Sequence, residues 1–183
     1  MIKYSNIPNL LTFSRLILIP SIIIIIYFDR PYSGWLSCLV FIAAAITDYL
    51  DGKLARKWNS TSKIGALLDP IADKMLVLSI LFMLAYNNSL NNWLIFPSLI
   101  ILLRELFISG LREYLSSKQI ELPVSVLAKW KTSTQFIALV FLLLSNSVYI
   151  SITTFIGSLF LYISAILTLI TWYKYLTYSK KYF

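Results

Sequence analysis

Four aspartates fall within one short stretch of the chain, Asp48, Asp51, Asp69 and Asp73, in the run DYLDGKLARKWNSTSKIGALLDPIADK. Carboxylates offer oxygen lone pairs to hard cations and can take a proton from a hydroxyl, so such a cluster suits metal binding and acid-base chemistry. Asp48 and Asp51 are three residues apart and Asp69 and Asp73 four apart, which puts each pair on one face of a helix. A hairpin between the two helices would bring the pairs together. Four anions in a partly dehydrated place repel one another, and divalent cations are the simplest remedy. The chain has no histidine and one cysteine, Cys38, inside an apolar run where it serves packing. Imidazole bases, His-dependent triads, thiolate metal sites and disulfides are thereby excluded. Oxygen-only ligands favour Mg²⁺ or Mn²⁺ over Zn²⁺, with Ca²⁺ as a substitute, and two ions could share the four carboxylates.

Around the aspartates, Gly52 and Gly65 allow backbone to approach a diphosphate closely, Ala55 is small, and Arg56 can hydrogen-bond phosphate. Plainer roles compete. Asp69 before Pro70 reads as an N-cap with proline at the first helical position, the glycines as helix-packing residues, and Lys57 and Lys63 as topology determinants. None of these explains Asp73. Further on, Arg104 and Arg112 are eight residues apart, about two helical turns, in a span with little reason to hold charge, and Lys129 and Lys131 begin the next span. Cations gathered in this way suit a phosphate dianion. The competing role for Glu105 and Glu113 is to neutralise the arginines, although neighbours on a helix point about 100° apart, which argues against direct Arg104–Glu105 and Arg112–Glu113 pairs. Asn9, Thr12 and Arg15, at three-residue spacing, form a polar face on the first helix, either bordering a headgroup site or serving helix start and topology.

The elements that must position these residues are long and apolar. Of 183 residues, 58% are hydrophobic and 13% charged, with a mean hydropathy of +0.77, which is outside the soluble range. Apolar runs at about 10–28, 34–50, 64–86, 93–111, 132–148 and 150–173 approach the ~20 residues a helix needs to cross a bilayer. The expectation is an all-α polytopic membrane protein, one domain over 1–183 with about six transmembrane helices. Lys and Arg cluster at alternate span ends, which places both termini and the aspartates on the cytoplasmic side. The stretch Tyr4 to Leu11, with Pro8 between Asn6 and Asn9, suggests a short interfacial helix before the first span. Trp35, Trp93, Trp130 and Trp172 fall near span ends, as interfacial aromatics do, and Tyr173, Tyr175 and Tyr178 are assigned to anchoring the last helix. A formal charge of +8 is dispersed between spans rather than gathered in a basic arm, so it points to anionic lipid and phosphate and not to nucleic acid.

Taken together, Asp48-x2-Asp51-Gly52-x2-Ala55-Arg56-x8-Gly65-x3-Asp69-x3-Asp73 resembles the signature of the CDP-alcohol phosphatidyltransferase family at every fixed position. The resemblance implies a six-helix membrane fold, usually a homodimer, in a bacterial cytoplasmic membrane, with a cytoplasm-facing cavity for a CDP-linked lipid and two divalent cations. It implies that Asp48, Asp51 and Asp69 are metal ligands, and that Asp73 completes the cluster and acts as base. It also implies that Gly52, Ala55, Arg56 and Gly65, with Asp48 and Asp51, line the cytidine diphosphate site. The segments NIPNLLTFSRLILIP, LRELFISGLREYLS and AKWKTSTQ are similar to the bacterial phosphatidylglycerophosphate synthase branch. That likeness implies CDP-diacylglycerol and glycerol 3-phosphate as substrates, with Arg104, Arg112 and Lys129 on the acceptor phosphate and Lys131 less directly involved.

Two other readings are open at this level. A cardiolipin synthase or another member of the same family would use a different acceptor, although the paired arginines favour a phosphate monoester. A cation transporter would also keep aspartates within the membrane, but along a path near mid-bilayer rather than at the ends of two consecutive helices beside Arg56.

Overall fold

The computed structural model describes residues 7–28, 31–58, 63–87, 92–120, 122, 123, 125–147 and 151–182, with side chains from 14 onward apart from 51, 52, 54–58, 63–67, 69 and 92. Among these residues there are six α-helices and no strand: α1 (Ile7–Tyr27), α2 (Ser33–Trp58), α3 (Lys63–Tyr86), α4 (Ile95–Ser117), α5 (Val126–Ser145) and α6 (Ser151–Ser179). Short 3-10 turns precede α4 and follow α6. The all-α expectation holds. Among the described residues, three segments are long and apolar enough to cross a membrane, Ser33–Leu50, Val126–Ser145 and Ser151–Tyr182, and α1 carries a shorter apolar stretch, Ser14–Tyr27. Outward-facing side chains such as Ile17, Phe82 and Phe155 are exposed, the arrangement expected where the surrounding solvent is hydrocarbon.

Two helix boundaries differ from the sequence reading in ways that matter for the aspartates. The part of the expected interfacial helix that is described, Ile7 to Leu11, is the beginning of α1 itself. Pro70 lies well inside α3, which begins at Lys63, so Asp69 is not its N-cap. A proline there has no N–H for the carbonyl four residues back, which loosens the helix one turn before Asp73.

The chain forms two compact units. The first comprises residues 1–89 and 143–149. In it α1 packs against α2 and α3. The buried side of α1 runs Arg15, Ile19, Ile22, Ile26, that of α2 runs Ser33, Ser37, Phe41, Ala44, and that of α3 runs Ala72, Leu76, Ile80, Leu84. These three- and four-residue steps are one helical stripe each. Continued by four residues, the α2 stripe reaches Asp48, and Asp73 starts the three-four spacing that runs through Leu76 and Ile80. Gly34 marks a close approach: its N–H donates to Ser147 Oγ at 2.8 Å, and a Cβ there would sit 2.5 Å from the Leu143 carbonyl oxygen.

The second unit comprises residues 90–142 and 150–183, with α4 against α6. The buried stripe of α6 is rich in small residues, Gly157, Ser164, Ala165, Thr168 and Thr171, as membrane helix contacts tend to be. A Cβ at Gly157 would come within 2.8 Å of Leu142 Cγ, so α5 and α6 touch closely at that point. Toward the ends of α4 and α6, Ile108, Leu111, Leu115, Leu122 and Tyr175 form a buried apolar cluster.

Candidate functional site

In the first unit one guanidinium joins two of the aspartates. Arg15 sits on the buried stripe of α1 with only 2% of its side chain exposed, and its Nη1 donates to Asp48 Oδ1 and to Asp73 Oδ1, each at 2.7 Å. Two oxygens at that distance from one nitrogen lie no farther apart than twice it. Asp48 of α2 and Asp73 of α3 therefore converge, as their spacing suggested. An arginine taken almost wholly out of water needs such anionic partners, whereas the two acids remain about half exposed and keep part of their hydration.

The other aspartate-region residues are placed by their helices alone. Asp51, Gly52, Ala55 and Arg56 are on the last turns of α2, and Gly65 and Asp69 on the first turns of α3; their side chains lie outside the described residues. Asn9 and Thr12 fall within α1 and their side chains likewise lie outside. Among the described residues no three acidic side chains are drawn together as a metal-holding group, so a full ligand set would need Asp51 or Asp69. The donors that are visible suit a hard divalent ion. They are carboxylate oxygens from two helices meeting at one point, in a protein without histidine.

In the second unit the pattern is reversed, with one acid between two cations. Glu105 Oε1 accepts from Arg104 Nη1 at 3.2 Å and from the Lys131 ammonium, which forms a short ion pair with it. Arg104 and Lys131 are buried, at 5% and 4% exposure. Arg104 Nη2 donates to Thr171 Oγ1 at 3.2 Å, and its guanidinium carbon lies 5.5 Å from the Tyr175 ring centroid. Ser164 Oγ donates to the Lys131 carbonyl at 3.3 Å, so α4, α5 and α6 are linked through polar groups. Among the described residues, three buried polar atoms here have no hydrogen-bond partner: Arg104 Nε, Thr168 Oγ1 and Trp172 Nε1. Such orphaned groups are costly inside a protein and are the kind a polar ligand satisfies.

Arg112 and Lys129 differ from this pair, since both are exposed and neither side chain has an ion pair or hydrogen bond among the described residues. The 100° between helix neighbours keeps Arg112 and Glu113 unpaired among the described residues, whereas Arg104 and Glu105 pair despite it. Buried long side chains curl toward each other where no water competes, whatever the angle between their Cα–Cβ bonds.

A family model described as CDP-alcohol phosphatidyltransferase matches residues 5–171. The chain belongs to this family. The matched range holds the four aspartates, Arg15, both arginines of α4 and both lysines of α5. Among curated proteins, one from Rickettsia bellii is 43% identical over 182 residues, 97% of each chain, and is named CDP-diacylglycerol–glycerol-3-phosphate 3-phosphatidyltransferase. The same name belongs to a Cereibacter sphaeroides protein, 47% identical over 77% of this chain and 64% of its own, and to a Haemophilus influenzae protein, 40% identical over 96% of this chain and 94% of its own.

Several participants were hidden from sequence reasoning. Arg15 was recognised only as one polar residue on the first helix, because its partners are 33 and 58 residues away. Thr171 escaped notice, and Tyr175, assigned as an anchor, is 6% exposed, packs against Arg104 and donates to the Pro123 carbonyl at 3.3 Å. The available signal was the spacing of Thr168, Thr171 and Tyr175, a polar stripe inside an otherwise apolar span.

Proposed function

We propose that this chain is a phosphatidylglycerophosphate synthase, transferring the phosphatidyl group of CDP-diacylglycerol to glycerol 3-phosphate with release of CMP. The observation that carries the reading is the convergence of Asp48 and Asp73 on one point, within a chain whose full-length relatives bear that enzyme name. The family match runs through both compact units, which supports one functional domain over 1–183. A bacterial cytoplasmic membrane protein with six spans, cytoplasmic termini and a cytoplasm-facing site, working as a homodimer, completes the proposal; the outward apolar side chains and the charge distribution between spans support its membrane setting.

In this reading Asp48, Asp51, Asp69 and Asp73 hold two Mg²⁺ or Mn²⁺ ions. Bound there, the ions neutralise phosphate charge as it develops. The backbone at Gly52 and Gly65, the small Ala55 and the cation Arg56 receive the cytidine diphosphate. Asp73 takes the proton from the acceptor hydroxyl as its oxygen forms a bond to the lipid-side phosphorus. The bond from that phosphorus to the CMP oxygen breaks, and CMP leaves. Arg112 and Lys129 engage the acceptor phosphate, and Arg104, which keeps one N–H unsatisfied, can add a hydrogen bond from a fixed position. Lys131, held by Glu105, contributes charge at longer range.

The test is CMP release by the purified protein given CDP-diacylglycerol, Mg²⁺ or Mn²⁺ and one acceptor at a time. Release with glycerol 3-phosphate and not with phosphatidylglycerol, serine or inositol is expected. Release with phosphatidylglycerol alone would make the chain a cardiolipin synthase, and no release with any acceptor would return the aspartates to a cation-transport role.

A further inference from the structure

Arg15 needs an explanation of its own. It lies on α1, a different helix from the pair that carries the aspartate signature, and it is nearly without solvent contact. Burying an arginine is unfavourable unless it is paired, and its neighbours Ile19, Ile22 and Ile26 on the same stripe show that an aliphatic residue would fit the packing of that face. Its Nη1 is shared by carboxylates from two different helices. Without it, two anions no more than about two hydrogen-bond lengths apart would push α2 and α3 away from each other.

We infer that Arg15 is the positioning residue of the carboxylate pair, holding Asp48 and Asp73 in register as a resident counter-charge whether or not a divalent cation is bound. The assignment deepens the proposed function by giving α1 a part in assembling the reaction centre, and it rests on that reading for its kinetic consequences. Its structural consequence can be tested without any metal. A guanidinium shared by two acids makes its own loss partly reversible: neutralising one of the acids lessens the repulsion that the loss exposes.

The experiment is a double-mutant cycle of thermal unfolding in detergent with EDTA present, read with a thiol-reactive fluorophore on Cys38, the sole cysteine, 4% exposed in the folded protein. Arg15→Met is expected to lower the midpoint. Arg15→Met combined with Asp48→Asn is expected to unfold at a higher temperature than Arg15→Met alone, and Arg15→Lys, which keeps the charge, to stay near the parent. Losses that simply add, or Arg15→Met without effect, would overturn the inference. A second arm adds Mn²⁺. A larger rise in midpoint for Arg15→Met than for the parent is expected, since cations then supply the missing charge. An equal rise in both would overturn the inference. If Mn²⁺ stabilises neither protein, the metal reading fails while the EDTA cycle still decides the role of Arg15. In turnover, Arg15→Met is expected to lower kcat about a hundred-fold, the scale of a small misplacement of reacting groups, with an unchanged KM for glycerol 3-phosphate and substantial rescue by Arg15→Lys. A raised KM with intact kcat would make Arg15 an acceptor ligand instead.

Discussion

The two units use the same three-charge arrangement with opposite signs. In the first, the cation Arg15 stands between the acids Asp48 and Asp73; in the second, the acid Glu105 stands between the cations Arg104 and Lys131. In both, the central residue ties helices together. The contrast lies in exposure. The outer acids of the first group are about half exposed and keep part of their hydration, whereas the outer cations of the second are buried and fixed. The first group is thus open to exchange partners, and the second is closer to a structural core that lends charge to its surroundings.

Asp73→Asn separates the two groups most strongly. If Asp73 is both cation ligand and proton acceptor, kcat falls by about a thousand-fold while the protein remains folded, because a neutral amide can still accept from Arg15. Steady-state CMP release with excess of both substrates measures this. Turnover within a few-fold of the parent would show that the negative group is structural, like the positive one.

Glu105→Gln probes the other side. It keeps the shape of the side chain but leaves two buried cations without their shared anion, a loss on the order of 3 kcal/mol of stability. Unfolding midpoints of Glu105→Gln and of Glu105→Gln with Lys131→Gln check it, and the double variant should be the more stable of the two. Equal stability of parent and single variant would mean that water, rather than Glu105, balances Arg104 and Lys131.

How much of this was legible in the sequence depends on the range of each interaction. All six helices coincide with apolar runs that the sequence shows. Their ends do not. α2 continues to Trp58, past the expected end at 50, through a polar segment that hydropathy cannot see, and α5 starts at Val126, ahead of the expected 132. The facing of Asp48 and Asp73 was readable from their positions on consecutive helices. The guanidinium between them was not, since spacing within α1 says nothing about what lies across from it. Glu105 was visible only as one of two candidate counter-ions, and its pairing with Lys131, 26 residues on, depends on tertiary placement that spacing within α4 does not show.

Arg112 gives the smallest effect and the cleanest separation of binding from folding. Its side chain is exposed with no ion pair or hydrogen bond among the described residues, so Arg112→Ala should change stability by no more than about 0.5 kcal/mol. Loss of one charge-assisted hydrogen bond to the acceptor phosphate is worth about 1.5–3 kcal/mol, so KM for glycerol 3-phosphate should rise about ten-fold or more with kcat little altered. Arg104→Ala cannot serve as the same test, because Arg104 is also bonded to Glu105 and Thr171 and its loss would disturb α4 and α6 together. An unchanged KM in Arg112→Ala would leave the fixed group around Glu105 as the source of positive charge for the acceptor, and would mean that phosphate is held by residues already locked in place rather than by an arm that closes on it.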